Sequence, residues 1–226
     1  MTPWKPMDRK VPLVCVAGIL VVLILGMPPC FAEENASVRV KWIADGDTII
    51  LQDGRHVRYI GIDTPEIDHQ NHKAAPFGYE ARTVNRQLVE GWTLRLVFDW
   101  EKKDHYGRVL AYVYRRDGLF INAEIVRQGY AHVLYHPPNI DKIDALIAAQ
   151  REAMQANRGV WQIIDKTQRT QQAFRGNRRS RRFHTRYCPK GKQISKGNLI
   201  WFENEWSAFW AGYAPARECV RLRTMP

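Results

Sequence analysis

The chain has 226 residues, 45% of them apolar, and a formal net charge of +11. That content supports one domain with a hydrophobic core plus something smaller, and it carries no internal repeat. The positive excess suits a polyanionic partner without choosing among such partners.

Residues 1–32 have the pattern of a secretory signal peptide. Lys5, Arg9 and Lys10 form a basic start, Val11 to Met27 is apolar, and Cys30-Phe31-Ala32 ends on a small residue suited to cleavage. The expectation is a secreted or periplasmic protein; an uncleaved segment would instead anchor it to a membrane. Residues 33–164 hold 17 Lys/Arg against 18 Asp/Glu, whereas residues 165–226 hold 14 against 4. The basic character therefore sits in the C-terminal quarter. After cleavage two cysteines remain, Cys188 and Cys219, most simply one disulfide in an oxidising compartment.

Ser37–Ile43 alternates like a half-exposed strand. Asp45-Gly46 turns, Ile49–Leu51 continues as a second strand, Asp53-Gly54 turns again, and His56–Ile62 is a third. Thr64-Pro65 stops this meander. Tyr79–Glu90 reads as a helix, Thr93–Phe98 and Val109–Tyr114 as strands, Ile121–Gln128 as a helix closed by Gly129, and Asp141–Asn157 as a longer helix ended by Gly159. Five short strands with helices predict an α+β fold built on a five-stranded OB-fold barrel with three helices. The predicted divisions are an OB-fold domain over 33–162, a basic linker over 163–178, and a small α+β C-terminal module over 179–226.

Three segments carry chemistry. Asp45-Gly46-Asp47-Thr48 and Asp63-Thr64-Pro65-Glu66 place carboxylates against apolar runs, which is costly unless a cation or hydrogen bonds compensate them. Lys103-Asp104-His105-Tyr106-Gly107-Arg108 precedes a strand. Each is a weak signal alone; together, in this order, they are specific. They resemble the staphylococcal nuclease family over roughly Val38 to Trp161, including Gly78–Ala81, Leu110-Ala111-Tyr112 and Val126–Gly129. The resemblance implies an OB barrel and calcium-dependent cleavage of DNA and RNA that leaves 3′-phosphate ends. It implies Asp47 and Asp63 as Ca²⁺ ligands with the carbonyl of Thr64, and Arg58, Glu66 and Arg108 as catalytic residues. Asp45 would shape the turn. Tyr106 and Tyr135 match substrate-binding aromatic positions, while His105 stands where the family commonly has lysine and the Tyr135–Asn139 stretch is one residue shorter. No obligate protein partner is implied.

The residue types suit that chemistry. Ca²⁺ prefers oxygen ligands. A guanidinium fork matches two phosphate oxygens, and a carboxylate such as Glu66 can orient or deprotonate a water. In a straight strand Arg58 shares a face with Ile60 and Ile62, so a bend near Gly61 is needed to bring Arg58 to Asp63. The competing reading is a noncatalytic nucleic-acid-binding OB domain, which has no need of all five charged residues. The C-terminal module looks similar to the metal-binding domain of Ada-type DNA repair proteins. His184, Cys188, Ala216 and Cys219 stand at that domain's four cysteine positions, so a disulfide is favoured over zinc held by His184 and the two cysteines.

Overall fold

The computed structural model describes Met1 and residues 37–71, 73–166 and 173–220; the expected signal peptide and most of residues 163–172 lie outside the described residues. Three strands open the fold: β1 (Ser37–Ile43), β2 (Thr48–Leu51) and β3 (His56–Tyr59). They pair as successive antiparallel neighbours. The β1–β2 register shifts between Val40 and Trp42. That irregularity lets Val38 and Ile43, an odd number of residues apart, both face the core.

β3 ends at Tyr59, earlier than the sequence pattern predicts. Gly61 takes φ +80°, a left-handed conformation open to glycine, and the chain resumes as β4 (Ile62–Asp63). A short hairpin follows, β5 (Ile67–Asp68) with β6 (Lys73–Ala74), then α1 (Gly78–Val89). β7 (Thr93–Val97) and β8 (Val109–Arg115) complete a closed barrel in the order β1-β2-β3-β8-β7. β8 lies parallel to β3. α2 (Ile121–Arg127), β9 (His132–Val133) and α3 (Ile143–Gln155) follow, and β9 pairs with β4 so that His132 faces Asp63. Ile49, Val57, Leu94, Val113, Ile125 and Leu146 fill the core with little or no exposure.

Buried amides fix the helices to the barrel. Asn122 Nδ2 donates to the Ile60 carbonyl and its Oδ1 accepts from Val113 N, each at 2.9 Å. Asn85 accepts from the Tyr59 hydroxyl at 2.9 Å and donates to the Asp45 carbonyl at 3.0 Å. Each amide spends both functions on groups that would otherwise be buried and unpaired.

The C-terminal part adds β10 (Phe174–Asn177), β11 (Arg182–Thr185), α4 (Pro189–Lys192), β12 (Leu199–Phe202), α5 (Glu205–Trp210) and β13 (Ala214–Pro215). The sheet order is β12-β10-β11-β13. β10 falls inside the expected linker, residues 163–178: the short Phe-Arg-Gly-Asn run is a strand whose Phe174 packs edge-on against Phe183 at 5.6 Å. The module shares a core with the barrel part, since Trp161 packs edge-to-face on Phe209 at 5.1 Å. Gln150 of α3 accepts from Val133 N at 2.7 Å and donates to the Phe209 carbonyl at 2.6 Å, joining β9 to α5. Among the described residues no helix is long and apolar enough to cross a membrane.

Candidate active site

The Asp45–Asp47 turn is closed on itself: Asp47 N donates to Asp45 Oδ1 at 2.9 Å. This places the Asp47 carboxylate inward at 4% exposure. There it accepts from Thr64 N at 2.9 Å and Thr64 Oγ1 at 3.0 Å. Gly46 permits the approach, because a Cβ there would meet the Thr64 side chain at 2.7 Å. The bend at Gly61 turns Asp63, 5% exposed, toward the same point. Arg58 Nη2 then lies 3.1 Å from Asp47 Oδ2 and 3.0 Å from Asp63 Oδ1, while its Nη1 donates to the Tyr59 carbonyl at 2.8 Å.

Burial pushes the Asp47 carboxyl up to about 7, against the pull of Arg58. Asp63 is equally enclosed, yet it sits below the ordinary carboxylate range because His132, Arg58 and Arg217 together outweigh its burial. His132 Nε2 is 3.6 Å from Asp63 Oδ2. Burial lowers the His132 imidazole to about 4, so it stands neutral beside Asp63 at physiological pH.

Arg217 was not singled out from sequence. It lies 154 residues from Asp63, yet its Nη2 donates to Asp63 Oδ1 and Oδ2 at 2.8 and 2.9 Å. The same nitrogen is 2.8 Å from Glu66 Oε1. It thereby links Glu66, whose side chain is 65% exposed, to the buried Asp63. Asp63 and Arg217 stand between two hollows. A cleft of about 910 Å³ is lined by Arg58, Asp63, Lys103, Arg108, Arg182 and Arg217, among others. A mostly apolar cavity of about 270 Å³ on the other side includes Glu66, His132, Trp161 and Phe209 in its walls. The ring nitrogens His132 Nε2 and Trp161 Nε1 are buried without a hydrogen-bond partner.

Asp47, Asp63, Thr64 and Arg58 are thus in direct contact, and Glu66 is joined to them through Arg217. Arg108 lines the same cleft as Arg58 and Asp63 but is turned to Asp104, with Nε 2.7 Å from Asp104 Oδ2. Asp104 also accepts from the backbone N–H groups of Tyr106 and Arg108, which shapes the whole loop. Tyr106 is 74% exposed, with its ring against His105 and under Arg108. Tyr135 is the other aromatic the resemblance assigned to substrate. Its ring packs on the core, and the guanidinium of Arg181 covers it at 4.5 Å. In the C-terminal module Cys188 and Cys219 are joined by a disulfide, with His184 Nδ1 3.4 Å from Cys188 Sγ.

All the acidic donors at the barrel mouth are oxygens, and Asp63 and Glu66 already converge on one positive nitrogen at 2.8 Å. Such a cluster accommodates a hard cation. The class so defined is an OB-fold protein with an acidic, arginine-bridged site at one mouth of the barrel. Comparisons place it further. The family described as staphylococcal nuclease homologue matches residues 56–163. Thermonuclease of Staphylococcus intermedius is 41% identical over 141 residues, covering 58% of this chain and 83% of that one. Thermonuclease of Staphylococcus hyicus is 31% identical over 160 residues, covering 66% and 94%. Endonuclease YncB of Bacillus subtilis is 38% identical over 134 residues, covering 57% and 63%. The chain belongs to the staphylococcal nuclease family. Arg217 lies outside the matched span.

Proposed function

We propose that this protein is an exported, calcium-dependent nuclease that hydrolyses phosphodiester bonds of DNA and RNA and leaves 3′-phosphate ends. The observation that carries the reading is Arg58 bridging Asp47 and Asp63 at the wall of a cleft that also presents Lys103, Arg108 and Arg182. The relatives named thermonuclease and endonuclease support the reaction class. The basic-apolar-small pattern of residues 1–32 and the disulfide support export.

Asp47 and Asp63, with the Thr64 carbonyl, would hold the ion. When bound, Ca²⁺ supplies Lewis-acid polarisation of the phosphoryl oxygen. Arg58 and Arg108 bind the phosphate oxygens from the cleft side and stabilise the extra negative charge of the five-coordinate phosphorus. The exposed carboxylate of Glu66 takes a proton from the attacking water. Asp47, Asp63 and Glu66 are matched by Arg58, Arg108 and Arg217, so a bound divalent cation tips the site positive toward a phosphodiester.

Digestion of plasmid DNA and of RNA by the purified protein with Ca²⁺, with Mg²⁺, or with excess chelator tests this. Cleavage with Ca²⁺ that stops with chelator is expected. Undiminished cleavage in chelator overturns the calcium requirement. Tight binding with no cleavage under any ion would mark a binding protein instead.

A further inference from the structure

The guanidinium of Arg217 makes more contacts with the candidate catalytic carboxylates than the family-matched Arg108 does. Its Nη2 takes both oxygens of Asp63 and one of Glu66. These groups are the ones the proposed function needs for the ion and the water. An ion that ligates Asp63 has to displace at least one of those contacts, since a positive nitrogen at 2.8 Å already fills that approach.

The backbone that presents Arg217 is fixed on both sides. Ala214 N donates to the Arg181 carbonyl at 2.9 Å and Ala216 N to the Phe183 carbonyl at 2.8 Å. Two residues further on, Cys219 is tied to Cys188. The side chain itself is 62% exposed, although its partner Asp63 is only 8% exposed. Rotation of an exposed side chain can therefore open the site while the loop stays in place. The contact is close on both sides, with Nη2 2.8 Å from Asp63 Oδ1 and 2.8 Å from Glu66 Oε1.

We infer that Arg217 is an internal cation that competes with the divalent ion for Asp63 and Glu66, so that the C-terminal module sets the metal affinity of the nuclease site. This rests on the calcium reading given above. Coupling of this kind is reciprocal: the ion releases Arg217 to the same extent that Arg217 weakens the ion. A role confined to tying the module to the barrel would make no such demand on metal affinity.

Isothermal titration of CaCl2 into the full-length, disulfide-intact protein tests it, with Arg217→Ala and Arg217→Gln compared with wild type. Arg217→Gln removes the charge but keeps a polar, hydrogen-bonding side chain, so the inference does not hang on one variant's packing. Both variants should bind Ca²⁺ about tenfold more tightly, within the usual span of coupling between sites. A Kd within twofold of wild type, or weaker, in both would overturn the inference while leaving the calcium reading intact. Absence of calcium uptake by all three proteins would remove the calcium reading and this inference with it.

Discussion

Replacing Arg58 by glutamine removes the nitrogen that touches both Asp47 and Asp63. Asp63 keeps Arg217 as a partner. Asp47 is left with hydrogen bonds from Thr64 and Thr48 and no cation in contact. Breaking a buried pair by deleting one partner costs several kcal/mol because a charge stays buried and uncompensated. Protonation of the orphaned carboxyl limits the loss, so we predict a deficit of about 3 kcal/mol at pH 8 in chelator. The sign with pH is fixed. Arg58 stabilises only the ionised carboxylates, so its contribution exists at high pH and is lost as they take up protons. Asp47's share fades as pH falls through about 7; Asp63, held below the ordinary range, keeps its share to much lower pH. Urea unfolding of both proteins between pH 4 and 8 measures this. A deficit under about 1 kcal/mol at pH 8, or one that grows toward acid, would refute the reasoning.

Gly61→Ala should lose about 1–3 kcal/mol, because φ is +80° and the new Cβ would lie 2.5 Å from Leu146 Cδ1; melting and turnover should fall together, since this bend sets Asp63 against Arg58, and a normal rate would contradict that. His132 is held neutral with its imidazole at about 4, so stability present above pH 6.5 should drain away as pH falls toward 4, by roughly 3 kcal/mol in all. His132→Gln should flatten that acid-side slope in urea midpoints, and an unchanged slope would assign it elsewhere. Cys188→Ser should cost about 3–4 kcal/mol, from the 31-residue separation of the bridged cysteines, read as a shift in denaturant midpoint that reductant reproduces in wild type but not in the variant.

The barrel was legible because its strands alternate in period two and its turns carry Asp-Gly pairs. The need for a bend near Gly61 followed from strand parity once the resemblance had paired Arg58 with Asp63, and a positive φ stands at Gly61. The barrel's closure by a parallel β3–β8 pair left no local trace. Neither did the register shift between Val40 and Trp42, which depends on what the opposite strand does. β10 and β11 escaped notice because Phe174–Asn177 and Arg182–Thr185 are four-residue runs too short to show alternation, set among the arginines of a basic stretch. Within the site, Asp47, Arg58 and Asp63 could be read from one short stretch of the chain, framed by the Asp45–Thr48 and Asp63–Glu66 motifs. His132 falls between two predicted helices in no motif, and it meets Asp63 only through the β4–β9 pairing. Arg217 carried no signal at all: a lone arginine in a basic tail becomes informative only when the loop after β13 folds back onto the barrel mouth.

Gln150 reaches one way to the backbone of β9 and the other way to the Phe209 carbonyl of α5, while Trp161 is wedged against Phe209. A chain severed after Ile164 would present Met154, Val160 and Trp161 to water and strand one arm of that amide. The tail is therefore not a detachable accessory. Its loss should show first as aggregation, because the seam of Met154, Val160, Trp161 and Phe209 belongs to both halves at once.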